Sequence, residues 1–117
     1  MGEEGGKTTE ENRIEKASKG GFYLLRCRNA GVIFGEVVEA GIGYAIMKNA
    51  RRVWRPISKD KSLAWYEGVA LSGLCEDEGK ISGFVAEKII VEDYELTLCS
   101  EVARVSLEGF KSNETYL

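Results

Sequence analysis

The chain has 117 residues, 44% of them hydrophobic and 30% charged, with a formal net charge of −3 and a pI near 5.1. That length suits one domain around one core. The acidic balance argues against bulk binding to duplex nucleic acid, which needs a basic face. There is no histidine, which removes the Ser-His-Asp triad, the Cys-His pair and the histidine general base. Three separated cysteines, Cys27, Cys75 and Cys99, offer no C-x-x-C spacing and too few ligands for a structural zinc site. They read as reduced thiols of an intracellular protein. No stretch approaches the roughly 20 apolar residues of a membrane span, and the N-terminus carries no apolar signal region.

Residues 1–20 read as an N-terminal arm. Glutamates alternate with lysine and arginine, and Met1 and Ile14 are its only large apolar side chains. It cannot bury enough surface to offset its own ordering entropy, unless it orders on a neighbouring subunit. A short helix over Thr9–Ser18 is conceivable. Residues 21–110 form the β-rich domain, and residues 111–117 a polar tail.

The domain opens with Phe22–Arg28, aromatic and apolar enough for a strand. Asn29-Ala30-Gly31 is a turn with glycine at the positive-φ position. Val32–Val38 answers as a second strand, in which Gly35 predicts a bulge or a close backbone approach. Glu39-Ala40-Gly41 turns again into a third strand, Ile42–Lys48. Asn49–Arg55 is expected as a fourth strand at a sheet edge, with Arg51, Val53 and Arg55 on one face and Ala50, Arg52 and Trp54 on the other. Pro56, the single proline, ends it.

From Ser62 to Leu74 the period changes. Leu63, Tyr66, Glu67, Ala70, Leu71 and Leu74 fall at three- and four-residue spacing and predict a helix capped by Ser62 and stopped by Gly73. An acidic loop, Glu76-Asp77-Glu78-Gly79, leads to strands over Ile81–Glu87 and Ile89–Leu98. Ser100 opens a short helix that Gly109 stops. The fold class is therefore α+β and mostly β. It is an antiparallel meander of about six strands, with one helix between strands four and five and a short C-terminal helix.

The stretch Lys48–Pro56 stands out chemically. It concentrates Lys48, Arg51, Arg52, Arg55 and Trp54 in eight residues of an acidic chain. Residues 48–61 carry +5, whereas residues 67–95 carry −6. Opposed patches of this kind suit head-to-tail association of copies of the chain. The candidate ligand or interface residues are Lys48, Asn49, Arg51, Arg52, Trp54, Arg55 and Trp65. Arginine forks suit phosphate, and an indole can stack on a base. Arginine and tryptophan are equally the usual interface hot spots. The third reading leaves Val53 and Trp54 in the core and the arginines in water.

Other signals are weak. Gly41-x-Gly43 lacks the third glycine of a dinucleotide fingerprint, and no phosphate-binding loop occurs. The Glu76–Gly79 loop lacks the alternating ligands of a calcium site. Asn113-Glu114-Thr115 is a glycosylation sequon by pattern alone. No catalytic, metal or cofactor site is expected.

Ala30-Gly31-Val32-x-Phe34-Gly35, followed by Lys48-Asn49-Ala50-Arg51-Arg52-Val53-Trp54, resembles a family of small tailed-bacteriophage proteins. Its members carry A-G-V-x-x-G and K-N-A-R-R-[IV]-W. Leu63-Ala64 through Ala70, and Cys99-Ser100-Glu101-Val102-Ala103, fill the places of the family's helix and of its C-terminal helix start. The likeness covers about residues 22–107. Relatives often carry a second aromatic after the tryptophan, where this chain has Arg55-Pro56. The resemblance implies a viral origin and no assigned activity.

The function expected is that of a non-enzymatic phage accessory protein in the host cytoplasm. It would bind a host component or a small anionic ligand through the Arg/Trp cluster, as a homo-oligomer. The alternative is a virion protein that decorates the capsid or serves the tail or assembly.

Overall fold

A computed structural model describes residues 21–112. The expected N-terminal arm with its helix, and the sequon at Asn113, lie outside these residues. The described chain runs β1 (Phe22–Cys27), β2 (Gly31–Gly41), β3 (Tyr44–Arg55), α1 (Trp65–Ser72), β4 (Lys80–Ile81), β5 (Val85–Ile90), β6 (Tyr94–Leu98) and α2 (Glu101–Gly109). The α+β, mostly antiparallel β architecture read from the sequence is the one found, with six strands and two helices.

The division into strands differs. The expected third and fourth strands are one twelve-residue strand, β3, and the first helix therefore follows the third strand. β3 is no edge. β2 pairs along one side of it, while β5 and β4 share the other. The turn between β2 and β3 is Ile42-Gly43, with Gly43 at φ 84°, rather than Glu39–Gly41. The two late strands also break elsewhere, at Ser82–Phe84 and Val91–Asp93. Gly31 does carry the positive φ expected of it, 82°.

The sheet has to coil. Ile90 at the end of β5 pairs with Ala45, beside the Gly41 end of β2. Tyr94 at the start of β6 pairs with Cys27, opposite Gly31 at the other end of β2. β2 is 11 residues long, roughly 35 Å at the usual rise. The three intervening residues can span only about 14 Å. A flat sheet would hold these diagonal corners too far apart, so it curls until they meet. Tyr94 Oη then donates to the Gly41 carbonyl at 2.6 Å.

Two bulges supply the bend. Asn49 and Ala50 of β3 together face Gly35 of β2, and Val38 is the extra residue on β2. Asn49 sits at φ 51°, the left-handed region that asparagine tolerates better than most residues. Gly35 is there because a Cβ would lie 3.1 Å from the Lys48 carbonyl oxygen and 3.2 Å from the Ala50 Cα. The close approach expected at Gly35 is thus real, and its partner is the Asn49–Ala50 bulge.

Coiling divides the core. Leu25, Ile33, Val37, Ala40, Ala45, Met47, Ala50 and Ile90 fill the concave side. Leu24, Phe34, Val53 and Ile81 meet the helices through Tyr66, Val69, Ala70, Leu74, Ala103 and Leu107 on the other. Tyr66 Oη donates to the Leu24 carbonyl at 2.6 Å, and burial pushes its pKa up to about 12. Helix α1 starts after Ala64, with no side-chain cap, because Ser62 is engaged with the Asp60 carboxylate. Helix α2 is capped as expected, Ser100 Oγ accepting from the Ala103 amide at 3.0 Å.

Glu92 ties the closing loop to the first turn. Its carboxylate accepts from the amides of Asn29 at 3.0 Å and Ala30 at 3.1 Å. These backbone bonds, Asn29 first, hold its pKa below the ordinary glutamate value. A lowered carboxylate pKa contributes stability that is present above the unfolded value and lost as pH falls through the folded one. Glu92→Gln should therefore flatten the decline in melting temperature between neutral pH and pH ~3, measured by circular dichroism. Gly35→Ala should cost about 1–3 kcal/mol in urea unfolding, because the two backbones at the bulge cannot both stay in place.

Candidate interface on the central strand

The motif Lys48–Trp54 lies wholly on β3, and each residue has a different task. Lys48 stands directly opposite Glu36 on β2 and Glu87 on β5. Opposite charges at such cross-strand positions attract. Asn49 makes the bulge, and the small side chain of Ala50 fits beneath Gly35.

Arg51 is buried, at 2% exposure. Its Nε donates to the Ser82 carbonyl at 2.9 Å and its Nη1 to the Leu107 carbonyl at 2.7 Å. Its guanidinium lies 4.4 Å from the centroid of the Phe84 ring. Leu107 is in the last turn of α2, where carbonyls lack helical partners and the dipole favours a cation. No basic residue of α2 itself stands there. Arg51 thus serves as a cap supplied from the sheet. Charge-assisted bonds and ring contact offset the cost of burying it.

Arg52 and Trp54 alternate onto the opposite, concave face, as the strand period predicts. Both are exposed, Trp54 at 41%. The Arg52 amide donates to Ser82 Oγ at 2.9 Å, so the backbone beneath them is fixed. Arg55 is exposed at the end of β3, opposite Lys80 and past the register shift that follows Val53.

Trp65 is separate. It is 65% exposed at the start of α1 and lines a cleft of about 190 Å³ with Ile57, Ser58, Lys61, Leu63 and Glu78. None of the candidate residues on β3 lines that cleft. A second cleft, about 330 Å³, is lined by Lys59, Glu76, Val105, Ser106, Gly109, Phe110 and Lys111. The candidate residues therefore resolve into a buried clamp (Arg51), a fold-determining pair (Lys48 and Asn49), an exposed pair (Arg52 and Trp54), and two outliers (Arg55 and Trp65).

The opposed charged segments also meet within the chain. Lys61 and Glu78 pair at 2.8 Å, and Lys61 holds the Glu78 carboxyl below the ordinary glutamate value. Arg26 and Glu95 pair at 2.9 Å. Among the described residues no group of three or more carboxylates and thiols could hold a metal ion, and no helix is long and apolar enough to cross a membrane. Cys99 sits in the helix-side core, whereas Cys27 lies beside the Glu92 carboxylate. Burial pushes the Cys99 pKa up to about 12 and raises that of Cys27.

Sequence reasoning missed two features. Leu71, placed on the buried face of the first helix, is 56% exposed, and Val102 and Val105 on α2 are exposed at 64% and 57%. The first helix instead buries Tyr66, Gly68, Val69 and Ala70. A signal was present at Gly68, where a Cβ would lie 2.6 Å from Ser58 Oγ.

A family model described as a domain of unknown function, DUF6948, matches residues 22–107. The chain belongs to that family. No curated protein and no solved structure matches it.

Arg51→Met should lower stability by about 2–4 kcal/mol in urea unfolding, because the Leu107 and Ser82 carbonyls lose a charged donor and the last turn of α2 loses its cap. Arg52→Met, one residue further on, should change stability by less than about 0.5 kcal/mol.

Proposed function

We propose that the chain is a non-enzymatic accessory protein of a tailed bacteriophage. It acts in the host cytoplasm by binding a protein surface that presents negative charge. The exposed pair Arg52 and Trp54 carries this reading. An indole and a guanidinium project from one face of a strand that β2 pairs as far as Arg52 and β4 pairs at Val53 and Arg55, a platform of hot-spot chemistry. Ordering these two side chains costs little when the backbone is already fixed.

A protein partner is favoured over a small anionic ligand by two observations. Arg51, the cation a phosphate would need beside Arg52, is committed to two carbonyls. Neither cleft described above is lined by Arg52 or Trp54, and small-molecule sites are concave and enclose most of their ligand. The phage assignment rests on the likeness of the Lys48–Trp54 motif, and the non-enzymatic assignment on the absence of histidine.

The test is site-specific photo-crosslinking, with a photoreactive residue at position 54, in cells producing the protein during phage infection. The expected result is a discrete protein adduct that is lost when Arg52 is also changed to Glu. Absence of any protein adduct would overturn the reading, as would a nucleotide titration in which binding heat depends on Arg52.

A further inference from the structure

The surface that fits Arg52 and Trp54 is present on the chain itself. Helices α1 and α2 are locked together where the Ser100 amide donates to the Ala70 carbonyl at 2.9 Å and Ser100 Oγ donates to the Leu71 carbonyl at 2.8 Å. This joint places Leu71 of α1 next to the start of α2. Val102 and Val105 lie three residues apart on α2 and so share one flank. All three aliphatic side chains are more than half exposed.

Acidic residues rim this strip. Glu67 lies one turn before Leu71 on the same side of α1 and is exposed, whereas the Glu101 carboxylate before Val102 is held by Arg104 of the same helix. Val105 continues the strip into the 330 Å³ cleft, where Phe110 adds an aromatic wall. The helices pack on one face of the sheet, whereas Arg52 and Trp54 stand on the other. The two surfaces therefore cannot meet within one chain, yet they match in charge and in apolar character.

We infer that the Arg52–Trp54 face of one copy binds the Leu71–Val102–Val105 strip of the next, with Arg52 against Glu67. This rests on the protein-binding reading above and names the partner of that same pair. Trp54 supplies the apolar contact, and the charges set orientation. Because the two surfaces differ, the contact is head-to-tail and repeats, giving a ring or a filament rather than a two-fold dimer.

The experiment is sedimentation of the full chain, with two variants that each spoil one surface. Trp54→Ala with Arg52→Glu spoils the first, and Leu71→Glu with Val102→Glu spoils the second. Wild type should show a mass that rises with concentration, and raising NaCl from ~50 to ~500 mM should weaken association about tenfold. Each variant alone should stay monomeric, with an unchanged circular dichroism spectrum and melting transition. Mixed one to one, the two variants should form a heterodimer that grows no further, because each contributes one intact surface.

A wild type that stays monomeric at millimolar concentration overturns the inference, and so does a mixture that fails to pair. A photo-crosslink from position 71 to residues 1–20 of the same chain also overturns it, assigning the strip to that segment. If position 54 crosslinks a different protein while the chain stays monomeric, the inference fails and the protein-binding reading stands.

Discussion

Three residues, Val91–Asp93, join strands that lie at diagonal corners of the sheet, and the rest of the structure follows from that short link. With a connection so short, β2 and β3 cannot run straight. They bend where Gly35 passes the Asn49–Ala50 bulge and again at Val38. The bend turns one face of the sheet inward to be filled by its own side chains and leaves the other for the two helices. Glu92, in the middle of the link, accepts the amides of the first turn. Tyr94, at its end, reaches the Gly41 carbonyl. Closure is thus made by hydrogen bonds at both ends, with apolar packing between them.

Within this frame the Lys48–Trp54 motif divides by strand period. One face looks to the helices and the other into the concave side, so consecutive arginines meet opposite environments. Arg51 is drawn into the joint between sheet and α2 because the last turn of that helix offers carbonyls without helical partners. Arg52, one residue later, has no such carbonyl to meet and remains at the surface. The same alternation buries Val53 and exposes Trp54. A motif that reads as one cluster of charge in one dimension is therefore two devices, one holding the fold and one facing outward.

Local rules made much of this legible in the sequence. Glycine at positive φ marked the first turn, Gly35 marked the bulge, and Ser100 marked the start of α2. From Ala50 to Trp54 the division of β3 into helix-side and concave-side residues also followed from period, which fails for Arg55 at the register shift after Val53. Three things were hidden, each for a physical reason. Asn49 looked like the start of a new strand, because asparagine signals a turn and a bulge uses the same left-handed backbone. The buried state of Arg51 depends on carbonyls 31 and 56 residues away, which no local window contains. The exposed flank of α1 was misjudged because Leu71 is apolar and well spaced, while the helix is oriented by Gly68 seated against Ser58.

The same geometry bears on how an acidic chain carries a basic strand. Lys48 is bracketed by Glu36 and Glu87 across the ladder, Lys61 is paired with Glu78, and Arg51 is buried. Three of the six cations of residues 48–61 thus face partners within the fold. What is left outside on β3 is two guanidinia, Arg52 beside the Trp54 indole and Arg55 at the strand end, too little charge to follow a phosphate backbone, whose binding scales with the number of phosphates neutralised. It is enough to orient one apolar contact. In the proposed role, recognition through Arg52 and Trp54 would take most of its energy from burying the indole and use the charge to choose among apolar partners, which favours a protein surface with an acidic rim.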